Sequence, residues 1–188
     1  MALTPSTMMP LSTTAPDFDL HDSVTGKSVN LQDAKGSNGT LVMFICNHCP
    51  YVVHLQSALG QLGSDYPPSG INIIAISAND VHHYPQDGPK EMTAFAQQNG
   101  FNFPYLYDES QSVAKSYDAA CTPDFFLFDS DLKCVYRGQF DNSRPKNNIP
   151  VTGKDLRGAM DALINNEGNG NTINQDQTAS VGCNIKWK

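Results

Sequence analysis

Thr40-Leu41-Val42-Met43-Phe44-Ile45-Cys46-Asn47-His48-Cys49-Pro50 joins a strand-forming run to a cysteine pair and a helix-starting proline. Its first six residues are an unbroken series of β-formers, the pattern of a strand buried on both faces of a sheet. Pro50 suits the first helical position, where its fixed φ helps and its missing N–H costs nothing, so Cys49 falls at the N-cap. Beyond it Val53, Leu55, Leu59 and Leu62 recur at mixed helical spacings until Pro67-Pro68 and Gly70 stop the segment. Strand, cysteine loop and helix follow one another directly.

Working outward, Ile71 to Ser77 reads as a second buried strand and Lys90 to Gln98, closed by Asn99-Gly100, as a second helix. Upstream, Asp17 to Leu20 and Ser28 to Leu31 flank Thr25-Gly26-Lys27 as a short β-hairpin. Downstream, Phe103-Pro104-Tyr105-Leu106 is a short extended piece and Glu109 to Tyr117 a short helix. Asp124 to Phe128 and Lys133 to Gly138 form a hairpin turning at Asp129 to Leu132. A last helix fits Gly153 to Ile164, with Thr152 as N-cap and Asp155 in its first turn. The Asn, Gly and Gln of Asn165 to Gln177 predict a flexible stretch within a C-terminal tail, residues 165–188. The order predicts an α/β fold.

The chain has 188 residues, enough for one domain that buries roughly two-thirds of its unfolded surface without disulfide staples. Five cysteines are an odd number, so they cannot all pair within one chain, and a reducing compartment is the expectation. A formal net charge of −7 with no basic cluster argues against nucleic acid as a partner. Met1 to Pro16 lacks the pattern of a signal peptide, and no stretch approaches the roughly 18 apolar residues of a membrane span. The expected protein is soluble and cytoplasmic, with no membrane partner.

A cysteine at a helix N-terminus sits beside unpaired N–H groups and the positive end of the dipole, which favour thiolate over thiol. Cys49 is therefore the expected nucleophile. A second thiol three residues away lets an intermediate on one cysteine be resolved by the other, and Cys46 is the expected partner. His48, between them, is placed to stabilise a thiolate.

The chain resembles the peroxiredoxin-like (alkyl-hydroperoxide-reductase/thiol-specific-antioxidant, AhpC/TSA) branch of the thioredoxin-like superfamily. The resemblance rests on Ala15-Pro16-Asp17-Phe18, Phe44 to Val52, Ser77-Ala78-Asn79-Asp80, Phe103 to Leu106, Cys121-Thr122-Pro123-Asp124 and Gly182-Cys183-Asn184-Ile185-Lys186-Trp187. It implies a thioredoxin-like fold, a central mixed sheet flanked by helices with an N-terminal hairpin and a C-terminal tail. In its register Cys49 takes the nucleophile position, Val52 replaces the usual resolving cysteine, and Cys46 replaces the peroxiredoxin threonine. The peroxiredoxin arginine falls at Pro123, which instead resembles the cis-proline facing thioredoxin active sites. Pro50, Thr122 and Pro123 would then border the docking site of a protein or small-molecule disulfide, thiol or peroxide substrate, with an external thiol as reductant and no cofactor.

Cys121 lies two residues before Pro123, and strand alternation carries it toward the cysteine loop if that segment is extended. That makes Cys121 the next candidate after Cys46 to resolve Cys49. Cys134 reads as core, and Cys183, in a tail whose Ile185 and Trp187 suggest docking, reads as packing, with a resolving thiol on a mobile tail as the alternative. His54, His82, His83, Arg137 and Arg144 read as helix-surface or loop residues. Three other functions compete with disulfide exchange. One is a thiol peroxidase, one a zinc or copper site using Cys46, His48, Cys49 and Cys121, and one a binding module without catalysis. The Cys-x-x-Cys-His order of covalent haem is not present.

Overall fold

Gly39–Phe44 is buried without a break because its strand lies between two others and beneath both faces of a sheet. The computed structural model describes residues 3–188. In chain order its elements are β1 (Leu3–Pro5), β2 (Asp19–Asp22), β3 (Ser28–Asn30), α1 (Leu31–Ala34), β4 (Gly39–Phe44) and α2 (Pro50–Asp65). They continue with β5 (Ile71–Ser77), α3 (Pro89–Gln98), β6 (Tyr105–Tyr107), α4 (Ser112–Ser116), β7 (Cys121–Thr122), β8 (Asp124–Phe128), β9 (Cys134–Tyr136), α5 (Lys154–Asn165) and β10 (Val181–Asn184).

Among the described residues, seven strands form one mixed sheet in the order β3-β2-β6-β5-β4-β8-β9. β4 pairs β5 in parallel and β8 antiparallel, so the cysteine loop leaves the sheet at its centre. Alternation along β4 divides the core. Leu41 and Met43 pack with Leu55, Leu59 and Leu62 of α2 and Leu156, Met160 and Leu163 of α5. Val42 and Phe44 face the opposite way, onto Leu31, Val113, Ala114 and Tyr117. Fully burying each large apolar side chain is worth on the order of 2 kcal/mol. These two layers hold the end of β4, and with it Cys46, at a fixed depth.

The predicted hairpin forms two residues later than expected on its first arm, with Leu20 opposite Val29. The turn is set by Asp22, whose carboxylate accepts from the N–H groups of Val24 and Thr25 and from the Thr25 hydroxyl. At α5 the N-cap is Gly153, not Thr152. Gly153 has φ +68, where a β-carbon would be strained and would meet the Phe140 ring. Asp141, twelve residues away, accepts from the N–H groups of Thr152 and Gly153, a long-range cap invisible to local pattern. In the stretch 165–177, Gly170–Thr172 forms a 3-10 turn, Ile173 is buried, and the Gln177 side chain bonds Arg137 and Val135.

A smaller sheet, β1-β10-β7, is the part the sequence reading lacks. β10 pairs antiparallel with β1 on one side and with β7 on the other, placing Cys183 opposite Thr122. That register brings the end of the chain to the cysteine loop.

Candidate active site at Cys49

Cys49 is the N-cap of α2, with Pro50 opening the helix, and its backbone carbonyl receives the N–H groups of Val52 and Val53. The strand-to-helix turn therefore aims its sulfur at the unpaired N-terminal end of the helix. Cys49 is 0% exposed, Cys46 1% and Cys183 3%. No cysteine among the described residues is in a disulfide. The Cys49 Sγ lies 2.9 Å from the Cys183 Sγ and 3.1 Å from the Thr122 carbonyl oxygen. The Cys46 Sγ lies 3.4 Å from the Thr122 hydroxyl. The Thr122–Pro123 peptide bond is cis.

The Cys46 thiol hydrogen-bonding to Cys49 is the largest influence on the Cys49 thiol, and it lowers it. Burial opposes, and Cys183, Thr122 and the Val52 N–H assist, leaving Cys49 at about 5 against an ordinary value of 9.0. As a thiol, Cys49 donates to the Thr122 carbonyl. Ionisation gives up that bond and gains the donors around the sulfur, which is why one thiolate is shared by several protonated neighbours. Cys46 moves the opposite way, well above the ordinary value, through its hydrogen bond to Cys49, its burial and the Asp87 carboxylate. Cys183 is pushed up to about 12 by burial first and then by Cys49. The trio holds one charge on the central sulfur.

His48 has a different partner from the expected one. Its Nδ1 lies 2.6 Å from the Asp87 carboxylate, its ring stacks on Tyr84 at 5.4 Å, and it is absent from the influences that lower Cys49. Asp87 is fully buried and accepts from the backbone N–H groups of Asn47 and His48 and from the Asn79 side chain. Tyr105 donates its hydroxyl to the Asn47 side chain at 3.1 Å. These residues fix the loop between the two cysteines, and the sequence reading did not single out Asp87. Its carboxylate lies in Tyr84-Pro85-Gln86-Asp87, a loop with no local pattern pointing to Cys46.

Cys121 makes its contacts elsewhere, its sulfur lying on the carbonyls of Pro123 at 3.5 Å and Ser180 at 4.0 Å. Alternation along β7 presents Thr122 to the cysteines, and so turns its neighbour Cys121 away. Burial raises the Cys121 thiol far above the ordinary value. Pro50 is exposed at the mouth of the site, while Thr122 and Pro123 are buried beside it. Ligand atoms of Cys46, His48 and Asp87 lie within 4.8 Å of one another and could hold a soft divalent ion. Cys121 is outside that group, and Asp87 already bonds His48 within it.

A cysteine at the N-cap of the helix that follows a central strand, beside a cis-proline edge, is the arrangement of a thioredoxin-like fold. Residues 11–137 match the AhpC/TSA family, and the chain belongs to it. A crystal structure of an uncharacterized conserved protein from Geobacillus kaustophilus is similar over 100% of this chain and 97% of that one, at 52% identity and a TM-score of 0.95. The thiol-disulfide oxidoreductase ResA of Halalkalibacterium halodurans is 26% identical over 64% of this chain, which spans 64% of the length of that relative. The fold alone is shared with a putative thiol:disulfide interchange protein DsbE from Chlorobium tepidum, at 20% identity and a TM-score of 0.66 over 83% of this chain and 99% of that one. No helix among the described residues is long and apolar enough to cross a membrane.

Proposed function

We propose that the protein is a thiol-disulfide oxidoreductase whose nucleophile is Cys49. The observation that carries the reading is the Cys49 sulfur itself, held at a helix N-cap between Cys46, Cys183 and Thr122 and lowered to about 5. As a thiolate it attacks one sulfur of a disulfide, releasing the other as a thiolate and leaving a mixed disulfide on Cys49. A neighbouring thiol then attacks that mixed disulfide. Cys46, the thiol expected for that step from its spacing, hydrogen-bonds to the thiolate before the reaction, and Cys183 lies 2.9 Å from it. Pro50, Thr122 and Pro123 border the place where a disulfide approaches, and an external thiol returns the protein to its reduced state. A cytoplasmic, reducing setting fits this cycle.

Peroxide reduction is the weaker reading because no guanidinium faces Cys49 among the described residues. Arg137 is bonded to Met9 and Gln177, Arg144 to Gln139, Asp141 and Ser143, and Arg157 to Asp65. Removing one donor to a developing transition-state charge typically costs about 3 kcal/mol, on the order of a hundredfold in rate. Stopped-flow oxidation of Cys49 should be much faster with glutathione disulfide than with equimolar hydrogen peroxide. The reverse order would replace disulfide exchange with peroxidase chemistry.

A further inference from the structure

We propose that Cys183 is the thiol that resolves Cys49, and that β10 holds it where the sulfur of an incoming disulfide must lie. This rests on the reading of Cys49 as nucleophile and names the group that completes its cycle.

The two sulfurs are 2.9 Å apart, about 0.9 Å beyond the ~2.05 Å of a disulfide bond. The approach is built into the backbone. Cys183 stands opposite Thr122, whose carbonyl touches the Cys49 sulfur. A β-carbon on Gly182 would lie 2.0 Å from that same Thr122 oxygen, so only glycine lets β10 come so near. Both ends of the strand are secured. Before it, the Ser180 hydroxyl donates to the Pro123 carbonyl at 2.7 Å. After it, the Ile185 N–H donates to Ala120, and the Lys186 N–H to the Asn79 side chain at 2.8 Å. Simple core filling requires none of this, as Cys134 shows, buried with its sulfur 3.8 Å from the Tyr136 carbonyl.

With Cys49 wholly buried, a disulfide reaches it only when the site opens, and in the proposed cycle the part that yields is the β7–β10 ladder, the two-residue-pair link that sets Cys183 opposite Thr122. Cys49 thiolate attacks R–S–S–R′, the S–S bond breaks, R′S⁻ leaves and Cys49–S–S–R forms. When β10 returns, the Cys183 sulfur attacks the Cys49 sulfur, its proton passes to the departing RS⁻, and a Cys49–Cys183 disulfide remains. The substrate has gained two electrons and the cysteine pair has lost two. An external dithiol reduces the pair again.

The test uses the reduced full chain, limiting glutathione disulfide, an acid quench and peptide mapping without reductant. The early intramolecular product should be Cys49–Cys183. In Cys183→Ala the Cys49–glutathione adduct should live about tenfold longer or more, because a tethered thiol acts at an effective concentration far above that of a free one. A dominant Cys46–Cys49 product, or an adduct lifetime unchanged in Cys183→Ala, overturns the assignment while leaving Cys49 as nucleophile. If Cys49 takes up no glutathione in either protein, the nucleophile reading falls and this one with it.

Discussion

At the scale of single residues, Cys49 and Asp87 divide the work of the site. Cys49 carries the charge that its protonated neighbours stabilise, whereas Asp87 holds the loop that positions them. Asp87→Ala strands two backbone N–H groups, the His48 ring nitrogen and the Asn79 amide in a buried place. Each unmet buried donor costs about 1–3 kcal/mol, reduced here where water enters, so urea unfolding should show a loss of about 2–4 kcal/mol. A loss below half a kcal/mol would mean the loop is held otherwise. The placement of Cys46, Cys49 and Pro50 was legible because it follows from local sequence, a strand end and a helix start. His48 illustrates the limit. Its position between the cysteines suggested contact with the thiolate, but its ring turns to a carboxylate 39 residues away.

Among the elements, length decides what a sequence reveals. β4 and β5 are six and seven residues long and nearly continuous in apolar side chains, and both were legible within a residue. β1, β7 and β10 have three, two and four residues, too short to display a period, and their pairing joins the two ends of the described chain. Cys183 therefore reaches the Cys49 sulfur by a pairing that sequence pattern does not carry. Gly182 is where the element depends on one residue. Gly182→Ala forces β10 from β7, and overpacking of this kind typically costs about 1–3 kcal/mol. The variant should lose that stability and form the Cys49–Cys183 bridge more slowly, as followed by thermal unfolding and disulfide mapping. Unchanged bridging would show that the strand tolerates the displacement.

For the whole molecule, two buried groups give stability opposite dependences on pH. Cys49 is lowered from 9.0 to about 5, so its contribution is complete above pH 9 and is lost as pH falls through 5. Asp124 is raised from 3.8 to about 6, chiefly by burial, so its contribution is complete below pH 3.8 and is lost as pH rises through 6. In the reduced protein, Cys49→Ser should flatten the rise in stability between pH 5 and 9. Asp124→Asn should raise stability at pH 8 by about 1–3 kcal/mol and leave little gain at pH 4. Urea midpoints at three pH values check both, and parallel curves for all three proteins would exclude these titrations as causes. The fold class was legible because alternating buried strands and helices dictate a mixed sheet under helical layers. The depth of Asp124, whose Oδ1 is buried without a hydrogen-bond partner, depends on long-range packing that no local pattern encodes.

The central claim is that Cys49 carries a thiolate at neutral pH, and the ultraviolet absorbance of the thiolate in the reduced full chain tests it without requiring a reagent to reach a buried sulfur. Titration of the wild type should show one thiolate forming with a midpoint near 5, and that transition should vanish in Cys49→Ser. A wild type with no thiolate below about pH 8, or a low-pH transition that survives Cys49→Ser, would contradict the account.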